Sequence, residues 1–359
     1  MNKSVLIFGF YGYGNTGDEM ILAGMVESLR RRHPDLDIVV LSADPQATAA
    51  DLPVRAIYAG RRTEGLGAVW KAMRTTDLFI LGGGGLLQDR ERRILPFWFS
   101  RMGMAKALGK KVMWYGLGVG PVETRLGRAQ IRHFASRADR ISVRDEESAE
   151  ILRHCGVRRP PVMVTADPAL AISSLPKEKA PSGKIGVCLR SWQGWEEKAP
   201  ELAAALDAII ERTGRNVDML PLHGADDRNA AERVRTLMER SGQVSQVDPQ
   251  LGPMEIACRL GEMDMVVSMR LHGLILAGLQ RVPCVGISYD PKVRQFMQAV
   301  QMEEWVCDFN HVQAETLADR VSRAWEMRAH TRKTLEHVIP CLEKKADENA
   351  DLASELLQD

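Results

Sequence analysis

The sequence lacks four features that would point to particular classes of protein. Its six cysteines are scattered without a Cys-x-x-Cys pair, so we interpret them as reduced core thiols and expect no structural zinc. Neither sign of charge dominates, since 48 Lys and Arg face 47 Asp and Glu, which argues against nucleic acid as a partner. No apolar run is long enough to span a bilayer, and no signal-peptide pattern precedes the first strand-like run, so any membrane contact should be peripheral.

The composition is that of an ordinary globular protein. Apolar residues make up 45% of the 359 residues and charged residues 26%, and this length suggests two domains. We expect a cytoplasmic protein, at most bound to the inner face of the plasma membrane.

Short apolar runs alternate with helical patterns, which predicts doubly wound parallel sheets. A stretch rich in Pro, Gly, Ser and Lys interrupts the alternation, and a second series of runs begins at Lys184. We predict an N-terminal Rossmann-like domain over 1–173, a linker over 174–183, and a second Rossmann-like domain over 184–335. A C-terminal helix over 336–359 should return to the first domain, with a helix break near Pro340.

The first strand-like run ends in a glycine-rich turn. Gly12, Gly14 and Gly17 fit the G-x-G-x-x-G spacing of a dinucleotide fold. Asp18 and Glu19 follow at the start of a helix, where carboxylates favour the helix dipole but repel a bound phosphate. The two carboxylates therefore either stabilise the helix or face a ligand as a general base.

Polar side chains follow two apolar runs between Met265 and Lys292. Arg270 and His272 come after the first run, and Lys292 comes after the second, with a short helical pattern between them. Because ligands bind beyond the carboxyl ends of parallel strands, these side chains suggest a site for a small anionic ligand. The alternative is that Arg270 caps a helix and His272 packs beneath it.

Other strand ends carry further candidates. Gly83 and Gly84 lie in a run of four glycines that permits either close approach of a ligand or a tight turn. Arg144 precedes an acidic helical turn, where a cation does not suit the helix dipole, so we consider it a ligand group. Trp192 and Trp195 either stack on a sugar or base, or close a core.

Basic and aromatic residues alternate between Arg90 and Phe99. Arg90, Arg92, Arg93 and Trp98 would suit an anionic membrane interface. The alternative, which we favour, is a solvated arginine face followed by the start of a core helix.

Six short motifs occur in order along nearly the whole chain. They are Gly14–Glu19, Leu81–Leu86, Ser142–Asp145, Ala166–Pro168, Ser268–Gly273 and Ser288–Lys292. Together they resemble the polysaccharide pyruvyltransferase family, the CsaB-like cell-wall branch in particular. The two domains facing a cleft resemble the GT-B glycosyltransferase architecture.

The resemblance implies transfer of a pyruvyl group from phosphoenolpyruvate to two hydroxyls of one sugar, giving a cyclic ketal. The expected acceptor is N-acetylmannosamine on a lipid-linked cell-wall precursor, and no metal or cofactor is required. Cations suit the anionic donor, and a histidine suits proton transfer near neutral pH. The expected roles are catalysis for His272, Asp18 and Glu19, donor binding for Arg144, Arg270, Lys292, Ser268 and Gly273, and acceptor binding for Asn15, Gly83, Gly84 and Trp192.

Three rival functions remain at this point. A nucleotide-sugar glycosyltransferase or epimerase would release a nucleoside diphosphate rather than phosphate. A non-catalytic carbohydrate-binding scaffold would keep its saccharide binding without His272 and Arg144. A nicotinamide dehydrogenase, the weakest alternative, rests on the glycine spacing alone.

Overall fold

The chain divides into two compact units. The structure, a computed structural model, describes residues 3–60, 65–176, 182–248 and 251–358. The first unit comprises Met1–Gly14, Asp18–Ser173 and Leu342–Asp359, and the second comprises Asn15–Gly17 and Ser174–Cys341.

The first unit contains a seven-stranded sheet whose paired strands are all parallel. Its strands are β1 (Ser4–Phe8), β2 (Asp37–Ser42), β3 (Arg55–Tyr58), β4 (Leu78–Leu87), β5 (Lys111–Val119), β6 (Arg140–Val143) and β7 (Val162–Val164). Its helices are α1 (Thr16–Arg32), α2 (Pro45–Asp51), α3 (Leu66–Thr75), α4 (Ile94–Ala107), α5 (Arg125–Ala135) and α6 (Glu146–His154). The strand order β3-β2-β1-β4-β5-β6-β7 reverses between β1 and β4, and ligands of doubly wound sheets bind at such a reversal.

The second unit contains a six-stranded sheet in the order β10-β9-β8-β11-β12-β13, and its paired strands are again all parallel. Its strands are β8 (Lys184–Cys188), β9 (Asn216–Met219), β10 (Val244–Gln246), β11 (Met265–Ser268), β12 (Cys284–Ser288) and β13 (Val306–Asp308). Its helices are α7 (Trp195–Thr213), α8 (Gly224–Leu237), α9 (Pro253–Gly261), α10 (Leu271–Leu279), α11 (Pro291–Ala299) and α12 (Ala314–Glu326), and α13 (Arg328–Gln358) follows. The predicted fold class, two doubly wound Rossmann-like domains, is confirmed.

The predicted strand–helix–strand segment forms the centre of the second sheet. Strand β11 pairs in parallel with β8 on one side and with β12 on the other. Eight of the nine residues of α10 are buried, because a helix between two central strands must cover the sheet and is itself covered. The chain order therefore brings the loops after β8, β11 and β12 side by side.

The glycine run after the third predicted strand is not a loop. Gly82, Gly83, Gly84 and Gly85 all lie within β4, which continues to Leu87. Gly83 and Gly84 have positive φ angles of 46° and 78°, and the pairing register with β5 shifts between Gly84 and Leu87. The glycines thus permit an irregular strand, which the alternation of apolar runs could not reveal.

The long final helix does not break at Pro340, which corrects the sequence prediction. Helix α13 is continuous from Arg328 to Gln358 with Pro340 inside it. Buried apolar residues recur on both sides of the proline at Leu335, Ile339 and Ala346. We attribute the continuity to this packed stripe, which offsets the hydrogen bond that proline removes.

The end of α13 is fixed to the first unit by buried polar contacts. The Oδ1 atom of Asn349 accepts hydrogen bonds from Ser142 Oγ at 2.5 Å and from Thr165 Oγ1 at 2.9 Å. Ser142 Oγ also accepts from the backbone N–H of Gly116 at 2.9 Å. Asn349 is fully buried, so these side chains satisfy one another without water.

Candidate functional site

The carboxyl edge of the second sheet carries most of the predicted donor residues. The loops after β9, β8, β11 and β12 are neighbours there because the strands pair in that order. They carry His223, Arg190 and Arg270 in turn, while His272 lies in the first turn of α10 and Lys292 in the first turn of α11. The structure thus brings the predicted Arg270, His272 and Lys292 to one edge and adds Arg190 and His223.

Arg270 is held by a buried carboxylate that the sequence analysis missed. Its Nε atom donates to Asp227 Oδ2 at 2.9 Å, and its Nη2 group donates to Asp227 Oδ1. Asp227 Oδ2 also accepts from the backbone N–H groups of Leu222 at 3.1 Å and His223 at 3.0 Å. In the sequence, Asp226 and Asp227 look like the acidic residues that commonly begin a helix. The only sign that Asp227 has another role is its position shortly after the end of β9.

Ser268 and Gly273 shape the turn beneath this ion pair. The buried Ser268 Oγ donates to the backbone oxygen of Arg270 at 2.7 Å. A Cβ added at Gly273 would lie 2.5 Å from Ser268 Oγ and 3.2 Å from Cys188 Sγ, so only glycine fits. Burial raises the pKa of the Cys188 thiol to about 12, which makes it an inert packing group. Ser268 and Gly273, both predicted to bind the donor, therefore stabilise the turn that carries Arg270.

His272 lies against the short segment Asn15–Gly17, which belongs to the second unit although α1 begins within it. A Cβ added at Gly17 would overlap the imidazole ring of His272. The same segment is joined to the loop after β9, since Thr16 N donates to Leu222 O at 2.8 Å and Asn15 forms an antiparallel bridge with His223. The Oδ1 atom of Asn15 accepts from Gly17 N at 3.1 Å, so this predicted acceptor residue shapes the turn next to His272.

Arg190 and Lys292 share one aromatic cluster. The guanidinium of Arg190 lies 5.0 Å from the ring centre of Trp192 and 4.8 Å from that of Tyr289, and its Nη1 group donates to Tyr289 Oη at 2.8 Å. Lys292 Nζ lies 5.5 Å from the centre of the Tyr289 ring. Trp192 and the predicted donor residue Lys292 therefore both approach the Tyr289 ring, while Trp195 is buried and stacks on Phe309.

His223 is half-buried beside the Arg270–Asp227 pair. Burial lowers the pKa of its imidazole, and the nearby positive charge of Arg270 lowers it further. His223 is therefore neutral at pH 7, so one ring nitrogen can donate a hydrogen bond and the other can accept one.

In the first unit, Asp18 lies at the glycine-rich strand. A Cβ added at Gly84 would lie only 2.7 Å from Asp18 Oδ1, so the bare backbone of Gly84 approaches this carboxylate. A Cβ at Gly83 would instead overlap Ile21, which shows that Gly83 allows α1 to pack closely on β4. The structure thus brings Asp18 and Gly84 together and gives Gly83 a packing role.

Glu19 supports the turn after β1. Its Oε1 atom accepts from the backbone N–H of Gly12 at 2.7 Å. Burial raises the pKa of Glu19 to about 7, and the negative charges of Asp18 and Asp51 act in the same direction, while the Gly12 hydrogen bond opposes them. A carboxyl group with this pKa can exchange a proton at neutral pH.

Arg144 is neutralised by two carboxylates within the first unit. Its Nη1 group donates to Asp167 Oδ2 at 3.0 Å, and its Nε donates to Asp145 Oδ2 at 3.4 Å. Burial alone would lower the pKa of Arg144, but the two carboxylates raise it above its usual value. Arg144, whose charge does not suit the dipole of α6, is thus paired with Asp167. Asp167 follows β7, and β7 is the neighbour of β6 in the sheet.

The basic and aromatic segment before α4 divides into two parts. Arg90, Arg92 and Arg93 are exposed, but Trp98 is only 5% exposed, and its ring centre lies 5.0 Å from that of Phe8 in the core. Trp98 cannot dock on a membrane, because its hydrophobic surface is already buried between α4 and the core around Phe8. The proposed contact through Trp98 was therefore wrong.

Two further observations concern metals and membranes. Within the described ranges, no group of three or more His, Cys, Asp or Glu side chains is arranged to hold a metal ion. The described helices include none that is both long and apolar enough to cross a membrane.

Solved structures with the same fold define the class of this protein. A Listeria monocytogenes protein assigned as a UDP-N-acetylglucosamine 2-epimerase superposes with a TM-score of 0.71 at 12% identity, covering 100% of this chain and 98% of its own. S. aureus MnaA, in a structure with UDP, gives a TM-score of 0.69 at 11% identity, covering 99% and 98%. At these identities the likeness shows the fold alone, which is the GT-B fold.

The sequence itself matches one family of GT-B proteins. The family model for polysaccharide pyruvyl transferase matches residues 15–291. The amylovoran biosynthesis protein AmsJ of Erwinia amylovora is 21% identical over 381 residues, covering 89% of this chain and 91% of AmsJ. The chain therefore belongs to the polysaccharide pyruvyl transferase family, and it is a transferase of polysaccharide biosynthesis with a saccharide acceptor.

Proposed function

We propose that this enzyme transfers a pyruvyl group from phosphoenolpyruvate to two hydroxyls of one sugar, forming a cyclic ketal. The proposed acceptor is N-acetylmannosamine on a lipid-linked cell-wall precursor, as in the CsaB-like branch. The observation that carries the proposal is the set of cations and imidazoles at the carboxyl edge of the second sheet. Such a set suits a small donor with a phosphate and a carboxylate.

The donor anions are bound by groups of different kinds. Lys292 offers a compact ammonium beside Tyr289, and Arg190 offers a guanidinium oriented by two rings. Asp227 orients Arg270 through Nε and Nη2. The Nη1 group of Arg270, which does not contact Asp227, donates a hydrogen bond to phosphoenolpyruvate. Arg144, whose Nη1 group donates to Asp167, is the further donor-binding residue that we propose.

His272 acts as the general acid. It protonates the methylene carbon of phosphoenolpyruvate, which becomes the methyl group of the product, and C2 becomes electrophilic. A first sugar hydroxyl attacks C2, phosphate leaves with its bridging oxygen, and a second hydroxyl closes the ketal. Each attacking hydroxyl loses one proton. One of these protons replaces the proton given by His272, and the other leaves with the phosphate.

The base for the sugar hydroxyls is Asp18 rather than Glu19. Asp18 Oδ1 lies against the bare backbone of Gly84, whereas the Glu19 oxygen accepts the hydrogen bond of Gly12 N–H. We propose that Gly84, Asn15 and Trp192 approach the saccharide. The donor supplies the transferred group itself, so this chemistry needs neither a metal nor an organic cofactor.

The decisive experiment supplies the protein with phosphoenolpyruvate and a panel of lipid-linked and synthetic disaccharide acceptors. The expected result is release of phosphate that depends on the acceptor, together with a product whose mass fits one pyruvyl ketal. Acceptors that contain N-acetylmannosamine should react fastest. No ketal with any acceptor, under conditions where the protein is folded, would contradict the proposal.

A nucleotide-sugar reaction is the second candidate, because S. aureus MnaA with the same fold was solved with UDP. It predicts release of a nucleoside diphosphate, or a change in the sugar, when UDP-sugars replace phosphoenolpyruvate. Parallel incubations with the two donors distinguish the candidates directly.

A further inference from the structure

Positive charge is concentrated in two segments of the first unit. Residues 89–93 and 123–137 together contain seven arginines and three carboxylates, a net charge of +4, whereas the whole chain has a net charge of +1. The reaction proposed above uses none of these residues. A local excess of this kind marks a surface that meets a polyanion.

The structure brings the two segments together through Asp89. Its carboxylate accepts hydrogen bonds from Glu123 N at 2.9 Å, Thr124 N at 2.7 Å and Thr124 Oγ1 at 2.6 Å. A Cβ added at Gly127 would overlap the Asp89 carboxylate, so the contact is close. The arginines that follow Asp89 are therefore neighbours of those in the first turn of α5.

An apolar side chain lies within this basic surface. Leu126 is 65% exposed, more than any other large hydrophobic residue in the described part of the chain. It belongs to the solvent-facing side of α5, where Arg125, Arg132 and His133 are also exposed, while Ile131 on the opposite side is buried. Leu126 and the arginines beside it in sequence are therefore accessible to the same partner surface.

We propose that the arginine patch, formed by Arg92, Arg93, Arg125 and Arg132 around Leu126, binds the surface of an anionic lipid bilayer. The guanidinium groups pair with headgroup phosphates, and Leu126 enters the boundary between headgroups and acyl chains. Leucine distinguishes this partner from nucleic acid, for which stacking aromatic side chains would be expected. Arg92 and Arg93 thus retain the membrane contact predicted from the sequence, and Leu126 takes the place of Trp98 as the apolar contact.

The test measures binding to vesicles of phosphatidylcholine with about 30% phosphatidylglycerol, and to vesicles of phosphatidylcholine alone. Arg92→Glu/Arg93→Glu should weaken binding to the anionic vesicles by about tenfold or more at low salt, an effect that high salt removes. Leu126→Ser should weaken binding by about threefold, and this effect should persist at high salt because it is apolar.

A matched control is available in the second unit. Arg323 and Met327 are an exposed arginine and an exposed apolar residue one helical turn apart. Arg323→Glu/Met327→Ser should leave vesicle binding unchanged. Thermal melting of every variant shows that it is folded, and the binding assay needs no pyruvyl transfer, so it can fail or succeed independently of the proposed reaction.

Three outcomes would overturn the inference. The first is vesicle binding that survives both the arginine and the Leu126 variants, and the second is equal binding to the neutral vesicles. The third is tighter binding of single-stranded RNA that depends on the arginines and is indifferent to Leu126→Ser, which would make the patch a nucleic-acid surface.

Discussion

The two units differ in the charge of the side chains that follow their strands at the proposed site. In the first unit, Arg144 stands with four carboxylates: Asp18, Glu19, Asp145 and Asp167. In the second unit, the buried Asp227 stands with cationic and imidazole side chains: Arg190, His223, Arg270, His272 and Lys292. The same strand order therefore supports opposite chemistry, suited to proton removal in one unit and to anion binding in the other.

Both units contain an arginine at a strand end that is paired with a buried carboxylate. Arg144 pairs with Asp167, and Arg270 pairs with Asp227, with each carboxylate almost completely buried. In each pair the partners come from neighbouring or nearby strand ends, far apart in sequence. The comparison shows that an arginine at a strand end is first oriented by the fold, and only the remaining face of its guanidinium can serve a ligand.

Removing Asp227 should have the largest effect. Asp227→Ala leaves the Arg270 charge buried without its partner and removes the acceptor of two backbone N–H groups, so we expect a loss of about 3 to 5 kcal/mol in stability. Chemical denaturation measures this loss. The double variant Asp227→Leu/Arg270→Met should recover much of the stability yet bind the donor poorly. Full stability of Asp227→Ala would show that the pair has no structural role.

Loss of the general acid should affect turnover rather than binding. His272→Ala should lower turnover by about a hundredfold or more, with a smaller change in donor affinity. Single-turnover kinetics and donor titration separate the two quantities. His311→Ala is the matched control, because this histidine is exposed and belongs to none of the proposed binding groups. Near-normal turnover of His272→Ala would contradict the mechanism.

Glu19 should make the stability of the first unit depend on pH. Its folded pKa of about 7 exceeds the ordinary value of 4.5, so the neutral form is favoured by folding. This contribution is fully present below about pH 4.5 and is lost as the pH rises through 7. Glu19→Gln, which cannot ionise, should therefore be more stable than the wild type above pH 7, by about 3 kcal/mol, and equal to it at low pH.

The same variant tests the choice of base. If Asp18 is the base, Glu19→Gln should keep the pH profile of the reaction, whereas Asp18→Asn should abolish turnover. A rise in rate near pH 7 that disappears in Glu19→Gln would instead assign the base to Glu19.

The donor contacts should give the smallest single effects. Lys292→Ala should weaken donor binding by about tenfold, since one charge-assisted contact contributes about 1.5 to 3 kcal/mol. Lys292→Arg should not restore it, because a planar guanidinium has different geometry from an ammonium. Arg190→Lys should weaken donor binding by a similar factor, because a lysine side chain cannot keep the geometry of the Arg190 hydrogen bond to Tyr289 Oη. Lys333→Ala, on an exposed part of α13, is the control in donor titration.

Much of the fold could be predicted from the sequence because buried parallel strands are continuous apolar runs. The apolar run Arg140–Val143 and the helical pattern Leu271–Leu279 coincide with β6 and α10, and the other strand-like runs differ from the observed strands mainly at their ends. No strand-like run of the sequence predicts β3 or β13. Each lies at the edge of its sheet, where residues such as Arg55 and Asp308 are exposed and the run of apolar residues is interrupted.

The site could be predicted only in part. Arg270, His272 and Lys292 were found because they follow apolar runs within one short segment of the chain. Asp227 and Arg190 were not, since their importance comes from contacts across the sheet with Arg270 and Tyr289. A pattern read along one sequence shows where strands end, but it does not show which side chains of different loops neutralise one another.

The contacts of Asn349 have a consequence for the synthesis of the protein. The hydroxyls of Ser142 and Thr165 obtain this buried partner only when residues beyond 341 have been made, after the whole of the second unit. At ordinary translation rates of about 5 to 20 residues per second, the wait between residues 173 and 349 is about 10 to 35 s. During that interval the first unit lacks both the Asn349 amide and the buried apolar residues of its last segment, Ala346, Ala350 and Ala353.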